Sequence, residues 1–182
     1  MSTMYAALLR GINVSGHRRV PMAELRTLLG GLGHEDVATH LQSGNAVFRS
    51  ASDDENALRN ELEQAIEAHF GFPVDCLVRS GAYLAAVADA CPFPPAELDG
   101  KQLHVTYFDQ AVDAARFAGL DAAAFRPEEF RLGDRSLYLY APDGLGRSKL
   151  AVALGRPAVT RGLVATSRNW NTVARLVEMT RD

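Results

Sequence analysis

Apolar and polar positions switch between two periods along the first half of the chain, and the order of those periods predicts the architecture. Met4–Leu9 (MYAALL) is a short apolar run of strand type, ended by Gly11. Residues 11–20 (GINVSGHRRV), with two glycines, an asparagine and two arginines, predict a long loop. Pro21 then opens a helix that puts Met22, Leu25, Leu28 and Leu29 on one face, and Gly30, Gly31 and Gly33 end it. Val37–Leu41 and Asn45–Arg49 predict two strands joined at Ser43-Gly44, a hairpin signal. Ser52-Asp53-Asp54-Glu55 caps a second helix in which Leu58, Leu62, Ile66 and Phe70 recur at helical spacing. Phe72–Val78 predicts a fourth strand. The order β-α-β-β-α-β is that of the split βαβ, or ferredoxin-like, unit.

The second half repeats that order less clearly. A helix at about 81–90 and the breaker Cys91-Pro92-Phe93-Pro94-Pro95 mark a boundary. Leu103–Phe108 predicts a strand, 110–119 an Ala-rich helix, and Glu129–Leu132 and Ser136–Tyr140 two strands joined through Gly133-Asp134. A short helix at 147–155, a strand at 162–166 and a closing helix at 169–180 complete the chain. The expected fold class is α+β, with two ferredoxin-like (α-β plait) subdomains packed together. Residues 1–80 form the first, 81–100 a helix and Pro-rich connector, and 101–182 the second with its closing helix. Antiparallel sheets covered by helices on one face leave the other face open to a partner, a ligand or a second copy in a homo-oligomer.

Composition narrows the class without naming a reaction. Of 182 residues, 47% are apolar and 23% charged, the balance of a globular protein. No apolar run reaches the roughly 18–20 residues that span a bilayer, and residues 1–9 lack the basic start and cleavage site of a signal peptide. A cytoplasmic protein with no membrane partner is the expectation. Cys76 and Cys91 are too few for a disulfide framework and lack metal-ligand spacing, so no metal site is expected, and no cofactor is indicated. Residues 1–140 carry 12 Lys/Arg against 19 Asp/Glu, whereas 141–182 carry 7 against 3. The basic end either attracts an anionic partner or neutralises the acidic body.

Three segments have residue types suited to chemistry. Arg10 to Arg19 lies between a strand end and a helix start, where the Gly11 and Gly16 amides and flanking arginines suit an anion, although the dinucleotide Gly-x-Gly-x-x-Gly spacing is missing. Pro142 to Lys149 has the ingredients of a phosphate cradle without the Walker spacing, and Lys149 is its one candidate. Thr166 to Val173 packs Arg168 and Asn171 into a helix start, more polar groups than capping needs. For each, turn formation, capping and solvated charge is the plain alternative. Tyr138 and Tyr140 share one strand face and suit base stacking, though tyrosines there more commonly pack. No pair of residues has the spacing that argues for an enzyme mechanism.

Leu8-Leu9-Arg10-Gly11-Ile12-Asn13-Val14, Val20-Pro21-Met22, Leu41-Gln42-Ser43-Gly44-Asn45 and Arg168-Asn169-Trp170-Asn171-Thr172-Val173 together resemble the motifs of the bacterial domain-of-unknown-function family DUF1697. The resemblance spans nearly the whole chain and implies two α-β plait subdomains; it carries over no catalytic residue. Its loop amides either accept left-handed backbone angles and cap helices, or converge on one polar cleft between the halves. Arg10, Asn13, Gln42, Ser43, Asn45, Arg168 and Asn171 would line it, and Lys149 would add charge. The leading expectation is therefore a small anionic or phosphorylated ligand, with a nucleotide among the candidates. A nucleic-acid module built on the basic C-terminal part and Tyr138/Tyr140, and a non-catalytic assembly protein, are the alternatives.

Overall fold

A computed structural model describes all 182 residues. The chain is mixed α+β, with two four-stranded antiparallel sheets, and it divides into two compact units. Residues 1–85 with 175–182 form the first unit, and residues 86–174 form the second.

In the first unit the strands β1 (Thr3–Leu9), β2 (Glu35–His40), β3 (Asn45–Ser50) and β4 (Cys76–Ser80) lie in the order β2-β3-β1-β4. The helices α1 (Met22–Gly31) and α2 (Glu55–Phe70) connect them, and α3 (Gly81–Asp89) follows β4. Period explains the core. Tyr5, Ala7 and Leu9 alternate along β1 and share a cluster with Phe48 of β3, Leu25 and Leu29 of α1, and Leu58, Leu62 and Ile66 of α2. Each of those large aliphatic side chains contributes about 1.5–3 kcal/mol when fully buried. Helix α2 begins where Asp54 Oδ1 accepts from the amides of Asn56 (2.9 Å) and Ala57 (3.0 Å), and ends at Gly71 with φ 84°. Strand β4 begins later than the apolar run from Phe72 predicts, because Pro73 has no amide hydrogen for a ladder.

The open sheet face expected from the sequence is absent. Met4, Ala6 and Leu8, the other set on β1, are only 0–5% exposed, and Val47 and Leu77 are buried as well. A run with both sets buried reads as continuously apolar, as MYAALL does.

The second unit places β5 (Leu103–Phe108), β6 (Glu129–Gly133), β7 (Ser136–Tyr140) and β8 (Ala165–Asn169) in the order β6-β7-β5-β8. Short helices α4 (Lys149–Leu154) and α5 (Pro157–Thr160) precede β8, and α6 (Trp170–Met179) follows it. Leu137 and Leu139 of β7 cluster with Phe108, Phe117, Leu150 and Val159. The opposite set, including Val105, Tyr107 and Tyr138, is buried too. The Ala-rich helix expected at 110–119 is replaced by two 3-10 turns, Ala114–Phe117 and Ala122–Phe125. Asp113 and Asp121 each cap a turn of their own, through Ala115 N (2.9 Å) and Ala123 N (3.2 Å), and Gly119 separates them. The last strand lies three residues beyond the predicted start, after Gly162 turns at φ 77° and Val164 N donates to Asp109 Oδ1 at 2.9 Å.

Candidate functional site

The segment after β1 forms a miniature hairpin. Asn13 N donates to Arg18 O (3.1 Å) and His17 N to Val14 O (3.0 Å), around Ser15 and Gly16 at φ 52° and 76°. Positive φ at both central residues is the mirror-image turn that suits a tight hairpin. Asn13 (φ 55°) and Arg18 (φ 50°) are left-handed as well, so three non-glycine residues within six adopt a costly backbone.

The Asn13 side chain holds that strain in place. Its Oδ1 accepts from Val20 N (2.9 Å), and its Nδ2 donates to Val20 O (3.0 Å) and to Gln42 O (2.6 Å). Buried Ile12 and Val20 anchor the two ends. Helix α1 then starts directly after Pro21, with no side chain capping it. Its first amides keep the partial positive charge of a helix start.

An open cavity of about 700 Å³ lies between the hairpin and this helix start, lined by Asn13, Gly16, Arg19, Ala23, Arg26 and Gln42 among others. Arg26 Nη1 donates to Thr39 Oγ1 at 2.5 Å, which uses one of the five N–H donors a guanidinium carries. Arg19 is exposed. One acid, Glu24, sits in the first helical turn, and it lines a different cavity. Two guanidinium groups, a helix start and loop amides make a surface suited to an oxyanion.

The other residues singled out in the sequence fall as follows. Ser43 and Asn45 belong to the β2–β3 turn, where buried Asn45 donates through Nδ2 to His40 O (2.8 Å) and Ser43 Oγ (3.3 Å). Arg10, half-exposed, stands 4.0 Å from Asp75. In the second unit, Lys149 is exposed at the start of α4. Arg168 is 8% exposed on β8, and its Nη1 donates to Thr166 Oγ1 (2.6 Å) and Ser167 O (3.0 Å). Burial pushes its guanidinium down to about 10. Asn171 packs over Gly100, where a Cβ would collide with its amide. Capping of α6 falls to Asn169, whose Oδ1 accepts from Thr172 N at 3.1 Å.

Tyr138 does not present its ring for stacking: it is 2% exposed and donates to the Val87 carbonyl at 2.5 Å. Tyr140 is half-buried beside Phe93, with ring centres 6.0 Å apart. Burial also raises the thiols of Cys76 and Cys91, which keeps both in the protonated form. Arg26 escaped the sequence reading because an arginine on the polar face of an amphipathic helix looks like any solvated charge.

An α+β chain of two antiparallel sheets, with a strained cationic hairpin leading into its first helix, is the class that these observations define. The family described as "Protein of unknown function (DUF1697)" matches residues 1–138, and the chain belongs to it. The matched region includes the hairpin and the cavity; Lys149, Arg168 and Asn171 lie beyond it. Among solved structures, the conserved bacterial protein SP0830 from Streptococcus pneumoniae is similar over 100% of both chains, with 26% identity and a TM-score of 0.77. No curated protein matches the chain. No helix is long and apolar enough to cross a membrane.

Proposed function

We propose that this is a cytosolic protein of two ferredoxin-like subdomains whose first unit binds a small phosphorylated or otherwise anionic ligand. The equivalent strand orders β2-β3-β1-β4 and β6-β7-β5-β8 support the subdomain reading. The observation that carries the ligand reading is the cavity in which Arg19 and Arg26 flank the uncapped start of α1. Asn13 and Gln42 bring the hairpin and the β2–β3 turn to its edge, and Ser43 and Asn45 shape that turn. The reading does not require Arg10, Lys149, Arg168 or Asn171.

Calorimetric titration of the full chain tests it, with inorganic phosphate, glycerol phosphate, sugar phosphates and nucleoside monophosphates set against their uncharged counterparts. Hydrogen bonds to a charged partner contribute about 1.5–3 kcal/mol each, so Arg19→Ala and Arg26→Ala should each weaken the preferred anion by roughly tenfold or more. Both positions are exposed, and an unchanged urea midpoint confirms that the variants fold. The proposal fails if no anion binds the native chain more tightly than the doubly substituted one.

A further inference from the structure

A second cavity, of about 510 Å³, runs along the other flank of α1 toward the end of α2. Leu28, Leu32, Thr27 and Gly31 line it together with Glu24 and His69. Leu28 and Leu32 are half-buried, so the groove keeps accessible apolar surface within a well-packed unit. Its size lies in the range that holds small molecules. Ala23 lines both this groove and the cationic cavity. The two spaces therefore share Ala23 as a wall residue.

Resting on the anion-site reading above, we propose that the ligand is an organic monophosphate carrying an aliphatic chain. Its phosphate lies beside Arg19 and Arg26, and its chain crosses Ala23 into the groove of Leu28 and Leu32. Charge fixes the orientation. The arginines belong to one space, and the Glu24 carboxylate in the other repels an anionic head placed there. Ala23 and Gly31 are eight residues apart on α1, a rise of about 12 Å at 1.5 Å per residue, long enough for an extended octyl chain.

Ethyl, butyl, hexyl and octyl phosphate, titrated below their micelle concentrations into the full chain, read this directly. A methylene leaving water completely gains about fourfold, and one lying in an open groove about half of that free energy, so affinity should rise about twofold per carbon. Gly31→Leu fills the groove from a position with nothing within 4 Å of the added Cβ, and leucine favours the helix. In that variant ethyl phosphate should bind as before and the chain-length gain should vanish. Ethyl phosphate binding with no gain from longer chains, or a gain that survives Gly31→Leu, overturns this inference and leaves the anion site standing. Failure of every alkyl phosphate to bind the native chain removes both. Co-sedimentation with phosphatidic acid vesicles identifies a membrane lipid as the source, and binding of soluble octyl phosphate alone identifies a free metabolite.

Discussion

Asn13 is where backbone strain and hydrogen bonding meet, and replacing it by alanine and by glycine separates the two. Either substitution removes the bonds to Val20 N, Val20 O and Gln42 O, at 2.9, 3.0 and 2.6 Å. At about 1 kcal/mol net each, the loss is about 3 kcal/mol. Alanine must also hold φ 55°, which costs an ordinary L residue roughly 1 kcal/mol more and glycine nothing. Asn13→Ala should thus cost about 4 kcal/mol and Asn13→Gly about 3, a large share of the 5–15 kcal/mol typical of a folded domain. In regular structure the order is reversed, since glycine there is the worse residue. Urea unfolding followed by far-UV circular dichroism measures both, with Trp170 emission as a second probe of the transition. Equal losses, a larger loss for glycine, or losses under about 1 kcal/mol would refute the view that Asn13 clamps a strained hairpin.

Three further expectations follow from the packing. Tyr138→Phe strands the buried Val87 carbonyl that now accepts at 2.5 Å, and should destabilise the chain by about 1–3 kcal/mol in the same urea assay; no change would contradict the bond. Gly44→Ala puts a Cβ 2.8 Å from Leu9 Cβ and 2.9 Å from Ile12 Cδ1 at φ 96°, so a loss of about 2 kcal/mol or more is expected in the thermal midpoint analysis. Burial lowers His104 from the ordinary 6.5, so the unfolded chain takes up the proton first as pH falls. Its contribution to stability is therefore full above about pH 6.5 and declines below it, until the folded chain titrates too. His104→Gln should flatten the stability difference between about pH 7 and pH 5, and an unchanged slope would show that His104 does not set it.

The elements with one clear period were legible from the residues. Helix α2 announces itself through Asp54, Leu58, Leu62 and Ile66, and β1 through an unbroken apolar run. What that run did not announce was burial on both sides, because a six-residue apolar stretch fits a one-sided or a two-sided strand. At 110–119, alanine propensity pointed to a helix, whereas Asp113 and Asp121 competed locally and started two short turns. Arg168 reads in sequence as part of a polar helix start, yet it occupies a buried position in β8. In the candidate site, the loop and its glycines were visible before the fold was known. Arg26 was not, since only the fold sets α1 against β2, where Thr39 orients it.

In the proposed site an anion lodges between the 13–18 hairpin and the start of α1. Amide chemical shifts of a nitrogen-labelled sample, followed during titration with inorganic phosphate at constant ionic strength, test it at the level of single residues. Saturable shifts should be largest at Gly16, Met22, Ala23 and Glu24, accompanied by the Arg19 and Arg26 side-chain signals and lost in Arg26→Ala. Saturable shifts centred elsewhere in the chain, or none beyond the effect of salt, would contradict it.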